Sequence, residues 1–395
     1  LLSNVRTRPP LSLDAAEAAR RRAPSRRAPS QEFSDRFSPD TARWFVGGNK
    51  VTPLFDASVT PRNREDEIFR QVKLAIDTAR RAVQLEMFGF GQMDIARALV
   101  GAQDRGVQVQ VVLDPVNEEY EQEKQEVVDY LRGHGVDLHF YPVERAGGKY
   151  PQIAHAKLLI VDGEKAIIGG MNWGSHSPLN HDVDVLVEGP AVDKMEYMFG
   201  KDYLKSGGRP QDLIPVEETP PHPEGNSYVS LVTSSADPRD RSMAAALSRA
   251  IRTCRKKIYA ELFVLSDRRT VDELIEAHRR GVDVRILLNP LQIEDNRVNE
   301  WAAARLSAAG VPVRWFKVDG ETGGKLHAKM GIFDDEEVIV GSANWSKAGL
   351  TYNREAGVDI FDRAVAATYR DMFLQDWQKG TDEPIYPEQD SSPQQ

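Results

Sequence analysis

Two histidines, two lysines and two asparagines recur in this chain at one spacing. His155, Lys157, Asp162, Gly169 and Asn172 are matched 172 residues later by His327, Lys329, Asp334, Gly341 and Asn344. The shared pattern is H-x-K, four residues, D, six residues, G-[GS]-x-N, and Trp173 and Trp345 follow the two asparagines. One H-x-K arises readily by chance; five positions repeated in register do not. His and Lys two apart on a strand point to one face, and an asparagine after the next strand can reach it. Each copy therefore offers an imidazole, an ammonium and an amide in one patch.

One patch is half a site. Two of them, facing each other across a pseudo-twofold interface, specify phosphodiester chemistry. One imidazole attacks phosphorus; the other protonates the leaving oxygen and then deprotonates the incoming water or alcohol. Splitting the reaction into two displacements lowers each barrier, and acid–base help of this kind contributes about 10²–10⁴-fold. The lysines and asparagines would hold the non-bridging oxygens as charge redistributes. Because the lysines supply the positive charge, no metal or other cofactor is expected at the reacting centre.

The doubled pattern resembles the signature of the phospholipase D superfamily, and the resemblance spans nearly all of residues 44–380. It implies an α/β fold in which two αβα sandwich halves form a pseudo-twofold dimer within one chain. It implies catalysis by His155, Lys157, Asn172, His327, Lys329 and Asn344 through a phosphohistidine, with His155 as nucleophile and His327 as the acid–base group. It also implies a downstream acid that orients each histidine. Asp182 and Glu355, in Asn180-His181-Asp182 and Asn353-Arg354-Glu355, lie 27 and 28 residues past the two histidines. A carboxylate on one ring nitrogen fixes which nitrogen attacks. Asp162 and Asp334 are expected to be structural turn residues, with Gly169, Gly341 and Ser342 also shaping the motif. Gly170 stands where the second copy has Ser342, whose hydroxyl can bond phosphate or an orienting carboxylate. The first half-site is thus expected to lack one contact.

The substrate is less tightly specified, because the motif names the bond and not its flanks. Gly169–Gly174 and Val187–Val192 resemble cardiolipin-synthase-type members, which points to phospholipid. Gly341–Trp345 with Asn353-Arg354-Glu355 equally resembles the family's nucleases, so nucleic acid is the alternative. A silent phosphate-binding module is the third reading, and intact histidines and lysines in both copies argue against it.

The elements that must carry these residues also repeat. Leu85–Phe88 matches Ala260–Phe263, and Gly106–Val109 running to Pro115 matches Gly281–Val284 running to Pro290, each 175 residues apart. Val107–Leu113 and Val282–Leu288 read as strands, and Met93–Gln103 and Val271–His278 as helices. Leu158–Val161 with Ala166–Ile168, and Met330–Phe333 with Val338–Val340, read as hairpins. Alternating helices and short apolar strands imply βαβ units and helices on both faces of a sheet. The expected divisions are a disordered basic arm (1–40), two domains (41–205 and 227–382), a Gly/Pro-rich linker (206–226) and a tail (383–395).

Composition sets the outer limits. The 395 residues are too many for one ordinary core and suggest two or three domains; at 41% apolar and 28% charged they can bury a sizeable core. The net charge of −9 weighs against a dedicated binder of long nucleic acid, although a basic cleft can sit on an acidic body. Arg20, Arg21, Arg22, Arg26 and Arg27 could tether the arm to an anionic membrane or nucleic acid. The lone cysteine, Cys254, excludes an internal disulfide and reads as a buried thiol on a helix face. His176 and His181 read as exposed loop residues, and Trp173 and Trp345 as packing beneath the site. No run approaches the roughly 18 apolar residues that cross a bilayer. A cytoplasmic or membrane-peripheral monomer is the expectation. Without a Met at position 1, an exported form stays open.

Overall fold

A computed structural model describes residues 30–55, 67–115, 121–143, 152–215, 222–293, 296–317 and 324–385. The first half contributes β1 (Val46–Phe55), β2 (Ala82–Met87), β3 (Gln108–Leu113), β4 (Asp137–Phe140), β5 (Lys157–Val161), β6 (Lys165–Gly169) and β7 (Val183–Glu188). The second contributes β8 (Ser227–Ser234), β9 (Lys257–Leu262), β10 (Asp283–Leu288), β11 (Val313–Trp315), β12 (Lys329–Phe333), β13 (Glu337–Gly341) and β14 (Glu355–Phe361). They form one fourteen-stranded sheet in the order β4-β3-β2-β5-β6-β7-β1-β8-β14-β13-β12-β9-β10-β11. Each strand lies as far from the centre as the strand numbered seven above or below it, so the order is a palindrome about β1 and β8.

Those two central strands pair antiparallel, with a bulge between Val46 and Asn49. Gly48 supplies the positive φ of the bulge. The buried Asn49 amide fills it by donating to the carbonyls of Val46 (2.6 Å) and Ser227 (3.3 Å). In each half the three outermost strands are parallel and the others antiparallel.

The helices repeat as the strands do: α1 (Glu67–Asp77), α2 (Met93–Asp104), α3 (Glu121–Gly133) and α4 (Val192–Lys205), then α5 (Ser242–Thr253), α6 (Arg268–Arg279), α7 (Glu300–Ala308) and α8 (Arg363–Lys379). One core places α4 and α8 against a face shared by both halves. Separate cores bury the opposite face under α1–α3 in the first half and α5–α7 in the second. Along β5, Leu158 and Ile160 enter the shared core while Leu159 and Val161 enter the outer one. A strand buried on both faces reads as a continuous apolar run, which is why the motif strands show no polar alternation.

Asp162 and Asp334 close the motif hairpins with φ of 56° and 58°. Asp162 accepts the N–H groups of Arg81 (2.7 Å) and Ala82 (2.9 Å), and Asp334 those of Lys256 (2.6 Å) and Arg255 (3.0 Å). They tie each hairpin tip to the start of β2 or β9. At about 3.4 Å per residue that end lies roughly 17 Å along the strand from the motif lysine.

Two expectations need correction. The segment drawn as an arm to residue 40 is folded from Ser30 onward, with a helix at Gln31–Arg36 capped by the Ser30 side chain. Phe33 and Phe37 are buried against Phe45 and Phe361, and Arg36 pairs with Asp334 (2.8 Å) and Glu337 (3.1 Å). Composition hid this, because two aromatic residues suffice when the rest of their core comes from elsewhere. The arginines at 20–22, 26 and 27 lie outside the described residues. Cys254 is buried but follows the end of α5, where its thiol donates to Asp334 (3.0 Å). Burial, reinforced by Asp334, pushes that thiol up to about 12.

Candidate active site

The segments that precede the two motifs leave their own halves. Ala154 bridges to Arg354 in parallel, and His181 bridges to Leu326. The His155 N–H donates to the Arg354 carbonyl (2.7 Å), and the His327 N–H to the His181 carbonyl (2.8 Å). Each motif histidine is thereby stitched beside the acid of the other half.

The side chains follow. His155 Nδ1 lies 2.9 Å from Glu355 Oε2, and His327 Nδ1 lies 2.7 Å from Asp182 Oδ2. All four residues are buried. Spacing along the sequence names the two acids without saying which histidine each one serves; the structure pairs them across the seam. An Nδ1–H held by an ionised carboxylate leaves the Nε2 lone pair for chemistry.

Lys157 Nζ donates to the His155 carbonyl (2.6 Å), and Lys329 does the same to His327. Phe88 and Phe263, just past β2 and β9, complete each patch. Phe88 meets the His155 ring at 4.7 Å, with Lys157 Nζ 4.9 Å from its centroid. Phe263 meets His327 at 4.7 Å, with Lys329 Nζ at 5.2 Å. Sequence reasoning showed these phenylalanines as repeated positions and gave them no role.

Burial dominates the electrostatics. It brings Lys157 down to about 7, with Lys329 lowering it further, and Lys329 down to about 8; the nearby carboxylates partly restore both. It lowers His327 to about 4 and lowers His155 as well. Burial alone would raise Asp182 and Glu355, but the facing histidines and lysines outweigh it and hold both below the usual carboxylate range. The imidazoles are thus neutral on ionised carboxylates, and the two lysines are held down chiefly by burial. A bound anion beside them would favour their charged forms.

The Gly170/Ser342 difference resolves in favour of the carboxylate. Ser342 Oγ donates to Glu355 Oε2 (2.5 Å) and accepts the Ala356 N–H (3.0 Å). Asn353 adds a bond to Glu355 Oε1 (3.2 Å). A Cβ at Gly170 would lie 2.7 Å from Asp182 Oδ1, and one at Gly169 only 2.0 Å from Asp184 Oδ1. Asp184, which the sequence did not single out, receives the Gly170 and Met171 N–H groups (2.7 and 3.0 Å). Gly341 instead faces Gly357, 2.5 Å from where its Cβ would stand. Asn172 and Asn344 each keep a buried amide oxygen without a hydrogen-bond partner among the described residues. Trp173 and Trp345 are buried, and their carbonyls hold the loops after β2 and β9 through the N–H groups of Gly91, Gln92, Ser266 and Asp267.

The residue before each acid also crosses the seam. Arg354 reaches Asp202 on α4 (2.6 Å) and Asp240 (2.8 Å). Glu86 lies beside this group, its carboxyl held well above the usual range by burial and by Asp202. His181, expected to be exposed, is buried against Glu261 and Asp376, whereas His176 is exposed.

Fold and site together define a phospholipase D-like protein with one centre assembled from two halves. The chain belongs to the family described as cardiolipin synthase, PLD-like domain, whose profile matches residues 72–203 and again 247–377. It is 24% identical over 351 residues to cardiolipin synthase 1 of Staphylococcus aureus, covering 81% of this chain and 69% of that protein. It is 27% identical over 344 residues to cardiolipin synthase B of Escherichia coli, covering 82% and 79%. Among solved structures, phosphatidylserine synthase of Haemophilus influenzae superposes with a TM-score of 0.61 at 14% identity, covering 85% of this chain and 88% of that one. Polyphosphate kinase of Porphyromonas gingivalis gives 0.54 at 16% identity over 84% of this chain and 47% of its own. The last likeness shows how little the fold by itself says about substrate. Among the described residues, no helix is long and apolar enough to cross a membrane.

Proposed function

We propose that the chain is a phospholipase D-type phosphatidyltransferase that acts on phospholipid through a covalent phosphohistidine. The observation that carries this reading is the crossed pairing of His155 with Glu355 and His327 with Asp182 beside two buried lysines. The cardiolipin synthases among its relatives favour phospholipid as the substrate and transfer over hydrolysis.

His155 Nε2 attacks phosphorus, and the phosphorus–oxygen bond to the leaving alcohol breaks. The departing oxygen takes the proton of His327 Nε2. An incoming alcohol then gives its proton to His327 and attacks phosphorus, which releases His155. His327, lowered to about 4 by burial, must be protonated for the first step. Burial, and after it the charges of Lys329 and Lys157, lower His327; the negative charge of the bound phosphodiester opposes both and restores that proton. The lysines and the amide N–H groups of Asn172 and Asn344 then donate to the phosphate oxygens, and the unpartnered amide oxygens can accept from a hydroxyl of the incoming or leaving alcohol.

Incubation with phosphatidylglycerol, phosphatidylcholine and single-stranded DNA, each alone, tests the reading. A transfer product from phospholipid is expected. Cleavage of DNA alone would make the protein a nuclease, and no product from any of the three would leave a silent binding module. Quenching in denaturant at alkaline pH, where a phosphohistidine survives, should place the phosphoryl label on the peptide that contains His155; label on the His327 peptide would reverse the two roles.

A further inference from the structure

The two seam clusters are built on equivalent positions but filled differently. Around Arg354 stand Glu86 of β2 and Asp202 of α4; around His181 stand Glu261 of β9 and Asp376 of α8. A guanidinium brings a permanent charge and five N–H donors to its carboxylates. An imidazole at the same place brings far less. His181 Nε2 lies 3.1 Å from Glu261 Oε2 and 3.4 Å from Asp376 Oδ2, so two carboxylates converge on one ring nitrogen that carries one proton at most. The other oxygen of Glu261 is buried without a hydrogen-bond partner among the described residues. Asp376 turns Oδ1 towards Lys379 Nζ (3.7 Å), which leaves Oδ2 on the inner side.

One nitrogen and two carboxylate oxygens within 4.8 Å of one another make a ligand set for a divalent ion. With metal–ligand bonds of about 2.0–2.1 Å in a tetrahedral arrangement, neighbouring ligand atoms stand about 3.3–3.4 Å apart. The separations of 3.1 and 3.4 Å already sit at that spacing. Phe316 stacks on the His181 ring at 5.6 Å and 13°, which holds the ring plane.

We propose that His181, Glu261 and Asp376 bind one first-row divalent cation, Zn²⁺ fitting best, which joins the two halves where Arg354 does so on the other side. The ligands come from both halves: His181 precedes β7, and Glu261 and Asp376 belong to the second half. All three are at most 4% exposed, so the site is closed and fills as the chain folds. The ion takes no part in the reaction. It anchors the segment whose next residue, Asp182, holds His327.

Metal analysis of the purified full chain tests this. Protein expressed with added Zn²⁺ and passed over a chelating column should retain about one Zn²⁺ per chain. Unfolding in denaturant with chelator, then refolding without metal, should lower the thermal midpoint, and refolding with Zn²⁺ should restore it. His181→Arg copies the Arg354 arrangement and should fold with no bound Zn²⁺ and a midpoint indifferent to it. Glu261→Gln should lose the ion as well. Wild-type protein with no metal both as isolated and after refolding in Zn²⁺ would overturn the proposal, leaving His181 as a hydrogen-bonded imidazole. Equal metal content in His181→Arg and wild type would overturn it too, by placing the ion elsewhere.

Discussion

Ser342 and Gly170 hold the same place in the two copies, yet only Glu355 receives a hydroxyl bond as a result. A hydrogen bond to a charged group contributes about 1.5–3 kcal/mol. Ser342→Ala should therefore lower turnover roughly tenfold or more while KM changes little, because on the proposed mechanism Glu355 acts through His155, which it contacts, and not on substrate; steady-state rates on a soluble phosphodiester check this. His155→Ala and His327→Ala should each cost orders of magnitude, and the double variant should be little worse than either, since residues that act as a unit are not additive. One single variant with near-full activity would dismantle the composite centre. The lysines set a pH limit. With Lys157 at about 7 and Lys329 at about 8, both become neutral as pH rises past those values and lose their pull on an anion. Tungstate, a dianion throughout this range, should bind progressively more weakly from pH 7 to pH 10 in calorimetry. The same depressed values mean that the unfolded chain binds more protons than the folded one between about pH 7 and the ordinary lysine value. This contribution destabilises the folded protein fully below pH 7 and is relieved as pH rises.

The short amino-terminal helix shows what an element can owe to distant parts of the chain. Phe33 stacks on Tyr228 at 4.0 Å and sits among Phe37, Phe45 and Phe361. Phe33→Ala should cost about 3–5 kcal/mol, measured by chemical denaturation, whereas removing residues 1–29 should leave the thermal midpoint unchanged. That truncation also isolates the arginine cluster. Vesicle binding should weaken without it at low salt, and the difference should vanish near 1 M, where the Debye length falls to about 3 Å. The motif strands and the βα alternation were legible because doubled spacing and apolar runs are local signals. The crossed acids were not, since Asp182 and Glu355 sit at nearly equal distances from the histidines of their own halves, and spacing carries no information about which half supplies a partner. His181 was misread for a related reason. Its alignment with Arg354 was visible in Asn-His-Asp and Asn-Arg-Glu, but a histidine in a loop signals burial only once the facing Glu261 and Asp376 are known.

At the scale of the whole molecule, one sheet runs through both halves by way of β1 and β8. Split into chains 1–218 and 219–395, each piece would expose its central strand as an unpaired edge and each histidine would lose its carboxylate. Neither piece alone should turn over a short soluble phosphodiester, and co-expression should restore activity; a piece active by itself would contradict the crossed geometry. That geometry also shapes how the gene can change. Because each copy keeps the acid that serves the other copy's histidine, a substitution in one repeat is felt first in its sibling. Neither repeat can decay into a mere scaffold while the other carries on alone. An exchange of one repeat between relatives succeeds only where the newcomer's acid meets a histidine it did not evolve beside. Duplication here removed the freedom that spare copies usually enjoy.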